Sequence, residues 1–218
     1  APHCSARVTG SGPVTESPDD TAALSPADQT AYRRLHADAT ALLRAWEPPD
    51  SGQEALRADY LTHLGDYPWA VAKAGPPEHL TASVLVLDEG WERVLLTHHR
   101  KAGVWLQFGG HLEAGDASLY AAAVREVAEE SGLVGVRVHP TVAQLDRHRL
   151  VGAFGRCREH LDVRFAGVAP AGVAPRVSTE SHDVRWWPLA DLPEQTRGEV
   201  SALAAACRRV LSHASDSR

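Results

Sequence analysis

The sequence predicts an α+β layer fold carrying an N-terminal helical extension. Three observations predict it. Strand-like segments lie on both sides of one central helix. Helical spacing runs from Ser25-Pro26 to about Leu64 and gives way after Gly75-Pro76-Pro77. No segment repeats, which sets solenoids and propellers aside.

Each element has its own justification. Residues 1–23 are rich in Ser, Thr, Pro, Gly and Asp without periodicity, which predicts a disordered tail. Ser25-Pro26 reads as an N-cap followed by proline at the first helical position. Leu35, Leu42, Leu43 and Trp46 then recur at helical spacing until Pro48-Pro49. Ser51-Gly52-Gln53-Glu54 reads as a capping box opening a second helix to about Leu64. The helical extension is thus 24–75, the main domain 76–213, and 214–218 a short tail. The apolar face of the two helices must bury against that domain or against a second copy, as in a homodimer.

In the main domain, His79–Leu87 and Arg93–His98 are predicted strands around a turn at Asp88-Glu89-Gly90. Val104–Phe108 is a further short strand. Helix formers fill Ala117–Ser131 and stop at Gly132. Strands are expected at Val136–His148, His160–Val168 and Val184–Trp187, with a last helix from Glu194 to about His213.

Composition excludes several classes. The 218 residues are enough for one domain with an extension or two small ones. No apolar run approaches the ~18 residues of a membrane span. The net charge of −6 argues against non-specific nucleic-acid binding. Cys4, Cys157 and Cys207 form no CxxC pair or disulfide framework, which fits the reducing cytoplasm. No basic segment followed by an apolar one marks a secretory signal.

The chemistry concentrates in Gly109–Leu133, GGHLEAGDASLYAAAVREVAEESGL. With Val127 at zero, Glu126, Glu129 and Glu130 fall at roughly −100°, −160° and −60° around the helix. Ala121, Val124, Val127 and Ala128 fall opposite, so that side is expected to pack while the glutamates are displayed together. Such neighbours repel by a few tenths of a kcal/mol per pair, near a helix end that disfavours anions. A hard divalent cation turns this cost into a binding site; a merely solvated acidic face is the bland alternative.

The flanking residues decide between them. GGHLEAGD…REVAEESGL resembles the Nudix box, G-x5-E-x7-R-E-U-x-E-E-x-G-U with U aliphatic. Arg125, Glu126, Val127, Glu129, Glu130, Gly132 and Leu133 match its second half, and Gly110 its opening glycine. Asp116 stands at the first acidic position, one residue further from Arg125 than the pattern has it, a spacing shared by a GGH-x-E-x-GD branch of the family. That departure leaves Asp116 as a candidate N-cap.

The resemblance implies a mixed sheet sandwiched between helices. It also implies hydrolysis of a nucleoside diphosphate linked to another moiety, with Mg²⁺ or Mn²⁺. By match, Glu126, Glu129 and Glu130 are the metal ligands, the backbone carbonyl at Gly109–Gly110 is a further one, and Arg125 braces the carboxylates. Glu113 matches a glutamate common in such boxes. Glu180 precedes Val184-Arg185-Trp186-Trp187, where several members carry a loop carboxylate that ligates metal or acts as general base. Two rival readings remain: a regulatory or ligand-binding module on the same fold, and an isoprenoid diphosphate isomerase, whose required cysteine is poorly matched here.

Outside the box, Arg100 and Lys101 follow a strand and are candidates to meet phosphates, or form a solvated basic turn. His160, Asp162 and Arg164 alternate with Leu161, Val163 and Phe165. Their polar face either lines the substrate cleft or faces outer solvent. Trp105, Phe108, Trp186 and Trp187 are candidates for base stacking or for the core. His148 and His182 are candidates to join His160 at a metal, but the twelve histidines show no ligand spacing, so a dedicated zinc site is not expected.

Overall fold

The computed structural model describes residues 24–150, 155–179 and 181–216. The predicted tail 1–23, and Glu180, lie outside them. Among the described residues are four helices and seven strands.

α1 (Pro26–Ala45) opens as expected, with Ser25 Oγ accepting from the Asp28 amide. α2 (Ser51–Asp66) is capped one residue earlier than the box suggested: the Asp50 carboxylate accepts from the Gln53 amide at 2.9 Å. A turn region follows, and then β1 (Glu78–Leu87) and β2 (Arg93–His99). The single strand expected at Val104–Phe108 is two short ones, β3 (Trp105–Leu106) on β2 and β4 (Phe108–His111) on β1. Gly109 and Gly110 therefore sit in a strand. A Cβ on Gly109 would lie 2.3 Å from that of Ser83, so only glycine allows β4 this close to β1.

α3 (Leu119–Ser131) is capped by Ser118, not Asp116, and ends at Gly132 with φ 63°, the left-handed conformation glycine adopts freely. β5 (Arg137–Arg149), β6 (Glu159–Val168) and β7 (Ser181–Pro188) complete the sheet. α4 (Arg197–Asp216) starts later than expected and runs past His213 into the predicted tail.

Strand order is β3-β2-β1-β6-β5, with β4 also on β1 and β7 on β2. Among the described residues only β1 and β6 run parallel, with His79 opposite His160 and Ser83 opposite Arg164. One sheet face carries Leu80, Ala82, Val84, Val86, Leu161, Val163 and Phe165, covered by α1, α2 and α3. The other carries Leu85, Leu87, Ala166 and Val168 under α4. The sandwich of a mixed sheet between helices is the fold the box implies.

The extension is part of the main core. Leu35, Leu43, Tyr60 and Leu64 are buried in the same cluster as Phe108, Val127 and Phe165. Burial of each such side chain stabilises by roughly 1.5–3 kcal/mol. Polar ties fix the register: Gln53 donates to Leu145 O and accepts from its amide. Tyr60 Oη donates to Asp146 O at 2.6 Å. Asp38 accepts from the first amide of α3, Leu119, at 2.7 Å, satisfying a donor every helix start leaves open.

Candidate active site

α3 carries Glu126 and Glu130 inward. Leu119, Ala122, Ala123 and Val127 are buried, and Glu130 sits among them. Ala128 is exposed and Ala121 and Val124 only half-buried. The expected arrangement is therefore met at Val127, which packs, and at Glu129, which is displayed, but reversed elsewhere: Glu126 and Glu130 lie on the packed side of α3. The wheel placed the carboxylates together correctly, but small alanines gave no sure sign of which side met the sheet.

That inward turn puts the Glu126 and Glu130 carboxylates against β4. Glu130 Oε2 accepts from the Gly109 amide at 3.0 Å. A Cβ on Gly110 would come within 2.7 Å of Glu126 Oε1, so a side chain there would push the Glu126 carboxylate aside. Arg125 organises the rest with its fork of donors. Nε and Nη2 bind Asp116 in bidentate fashion at 3.0 and 3.1 Å, and Nη2 also reaches His111 O at 2.9 Å. Nη1 reaches Glu126 Oε1 and Glu129 Oε2, each at 3.1 Å. Hydrogen bonding to Asp116 raises the Arg125 guanidinium further above its ordinary range. Asp116 also accepts from the Glu113 amide at 2.8 Å, closing the turn before the helix. It thus anchors Arg125 rather than capping α3. Glu113 itself is largely exposed, 3.9 Å from Arg125.

These groups open on a cleft of about 780 Å³. Its other wall is the uncovered half of the sheet: Thr81 and Ser83 of β1, and His160, Asp162 and Arg164 of β6. The alternating strand thus turns its polar face to the cleft. Asp162 accepts from Thr81 at 3.1 Å, Ser83 at 2.7 Å and Arg164 at 3.0 Å. Arg164 is 1% exposed and also donates to Asp146 at 2.9 Å and Glu199 at 2.6 Å. It lines the cleft as the polar-face reading expected, and three carboxylates already occupy its guanidinium, so it braces the wall. Lys101 lines the cleft, whereas Arg100 donates to Ser181 O on β7 at 2.9 Å.

The aromatic candidates lie elsewhere. Phe108 is core, Trp105 meets Trp187 edge-on, and Arg185 lies over both indoles. Tyr32 of the extension lines the cleft instead. Sequence reasoning missed Tyr32, Thr81, Ser83 and Asp146. The small polar pair Thr81 and Ser83, two apart in an otherwise apolar strand, was the available signal.

At one end of the cleft, His79, His111, Cys157 and His160 gather, with one potential ligand atom of each within 4.8 Å of all the others. Burial, with the neighbouring imidazoles, pushes His111 down to about 3 and His160 to about 4, and lowers His79. His148 contacts the His160 ring and is hydrogen-bonded to Asp146 at 2.8 Å. His182 pairs with His98 on the β2–β7 side, so its expected place beside His160 is not met.

The donor chemistry suits a hard divalent ion at α3. Glu126, Glu129 and Glu130 offer carboxylate oxygens, and β4 approaches without side chains. A family model of the NUDIX domain matches residues 77–210. That is more than half of the chain, and the chain belongs to the NUDIX domain family.

No curated protein matches it significantly. Similar solved structures include an Ap4A hydrolase binary complex from C. elegans, at 15% identity and TM-score 0.49, covering 62% of this chain and 98% of that one. The NUDIX domain of Shewanella oneidensis NrtR complexed with ADP ribose has 20% identity and TM-score 0.46, covering 58% and 85%. A MutT NUDIX hydrolase from Burkholderia pseudomallei has 24% identity and TM-score 0.43, covering 58% and 95%.

Proposed function

We propose that the chain hydrolyses the pyrophosphate bond of a nucleoside diphosphate linked to another moiety, with Mg²⁺ or Mn²⁺ held by Glu126, Glu129, Glu130 and the Gly110 carbonyl. The observation that carries this reading is that Glu126 and Glu130 meet the glycine strand β4 while Glu129 joins them in lining the same cleft. When bound, the metal neutralises diphosphate charge and lowers the cost of making a nucleophile from water.

The residues supply position and charge. Arg125 fixes Glu126 and Glu129 through Nη1, and the Gly109 amide fixes Glu130. Glu129, with 61% of its side chain exposed, has room to take the proton from the attacking water; Glu180 is the second candidate for that role. Lys101 brings a cation to the cleft for a phosphate oxygen. The setting we propose is the cytoplasm, where the buried Cys157 and Cys207 stay out of disulfides.

A phosphate-release assay over a panel of nucleoside diphosphate derivatives tests the proposal. Turnover of at least one compound with Mg²⁺ is expected, abolished by excess EDTA and restored by added Mg²⁺. Full activity in EDTA defeats the metal role. Tight binding of a panel member without turnover turns the reading toward a ligand-binding module.

A further inference from the structure

The histidine–cysteine cluster at the head of the cleft plays no part in the hydrolysis proposed above. We infer that His79, His111, Cys157 and His160 bind one zinc ion, as a structural site separate from the carboxylates of α3.

The first support is convergence. His79 and His160 are register partners on the parallel strands β1 and β6. His111 lies on β4, opposite Thr81 and on the same sheet face. Cys157, in the loop before β6, precedes His160 by three positions, a local C-x-x-H pair. His111 Nε2 lies 3.1 Å from His79 Nε2 and 3.7 Å from Cys157 Sγ. Tetrahedral zinc with Zn–N of about 2.0–2.1 Å and Zn–S of about 2.3 Å spaces its ligands by roughly 3.3–3.6 Å. The four atoms already lie within 4.8 Å of one another, so the longest gap closes by about 1 Å.

The second support is the state of the nitrogens. His79 Nδ1–H donates to the Pro76 carbonyl at 2.9 Å, which leaves the lone pair of Nε2 facing the cluster. An imidazole fixed by a backbone carbonyl through its other nitrogen is the usual outer support of a metal ligand. His160 Nε2 is buried and has no hydrogen-bond partner among the described residues. An unpaired buried nitrogen is costly, and two facing Nε2 atoms can share only one proton. An ion at the centre gives every one of these lone pairs a partner.

The donor set identifies the metal class. Three imidazoles and a thiolate are borderline-to-soft ligands, which suit zinc and not Mg²⁺. Four protein ligands close the coordination sphere, the mark of a structural site. The ion ties together the start of β1, the end of β4 beside Gly110 and the entrance to β6. That staple steadies the strand on which the α3 carboxylates rest.

Cobalt titration of the full chain, after removal of bound metal by chelator, tests this. Wild-type protein is expected to take up one equivalent of Co²⁺ with tetrahedral d–d bands and a thiolate-to-cobalt charge-transfer band, both bleached by one equivalent of Zn²⁺. Cys157→Ser should lose the charge-transfer band. It should also weaken zinc binding at least tenfold, because losing an outer partner alone costs about 10–100-fold. Glu129→Gln should leave the cobalt spectrum unchanged, which separates this site from the α3 carboxylates. A wild-type chain with no tetrahedral spectrum at one equivalent overturns the inference even if the variants misfold, as does a charge-transfer band that survives in Cys157→Ser. Either failure leaves the hydrolase reading standing.

Discussion

Two halves of one sheet face are built on the same strands and serve opposite ends. Toward the C-terminal ends of β1 and β6 the face carries Leu85, Leu87, Ala166 and Val168, sealed by Leu203, Ala204 and Cys207 of α4. Toward their N-terminal ends the same face carries His79, Thr81, Ser83, His160, Asp162 and Arg164. The alternation is unbroken across the boundary; only the cover differs. Polar groups under α4 would have to find partners away from water. In the open half they find one another and line the cleft. The switch from polar to apolar at fixed alternation marks where the covering helix stops.

The open half is where substitution should affect turnover most. Glu129→Gln and Glu130→Gln should each lower kcat by at least about 10²-fold, by analogy with removal of one preorganised transition-state contact, ~2.7–4 kcal/mol. Glutamine keeps an acceptor oxygen for the Gly109 amide, so the fold should persist by circular dichroism and thermal melting. Near-wild-type kcat in both variants would reduce the glutamate cluster to an acidic face.

The opposite sheet face sharpens the contrast, because there a cover is indispensable. A chain beginning at Pro76 loses α1 and α2, and with them Leu35, Leu43, Tyr60 and Leu64. At roughly 1.5–3 kcal/mol each, that is comparable with a domain's whole stability of about 5–15 kcal/mol. It also strips the Asp38 cap from α3 and Tyr32 from the cleft. Aggregation, or a melting temperature far below that of the full chain, is expected. A soluble monomer as heat-stable as the full chain would show the extension to be an accessory.

Strands, helices and the glutamate cluster were legible because their signals are local. Alternation, capping residues and the spacing of Arg125, Glu126, Glu129 and Glu130 all lie within a few residues of chain. The splitting of β3 from β4 was hidden, because it depends on a change of partner strand at Gln107. The role of Asp116 was hidden too, since its guanidinium partner lies across a helix start. The partners of Arg164 were hidden because Asp146 and Glu199, which help to occupy it, come from β5 and α4. The histidine cluster is the extreme case. Its members come from three strands and a loop, so no spacing in the sequence announces them beyond Cys157 and His160.

The smallest effect belongs at the covered end, and serves as its control. Asp88, at the turn after β1, accepts from the Glu92 amide at 2.8 Å, the Arg93 amide at 3.0 Å and Arg93 Nε at 2.9 Å. Partial burial alone would raise its carboxyl; these hydrogen bonds outweigh burial and hold it below the usual value of 3.8. A carboxylate depressed in the folded state contributes stability above its unfolded value and loses it as pH falls through the folded one. Asp88→Asn should therefore cost about 1 kcal/mol near neutral pH, or ~2–4 °C in melting temperature for a chain of this size. The gap should narrow from about pH 4 downward, as the wild-type carboxyl is protonated in turn. kcat should not change, because the turn lies beyond the half of the sheet that α4 covers. Melting curves of both proteins across acid and neutral pH, with kcat measured at neutral pH, check this. A gap that stays constant into acid would show that the carboxylate's charge contributes nothing. A fall in kcat would mean that the two halves of the face are coupled.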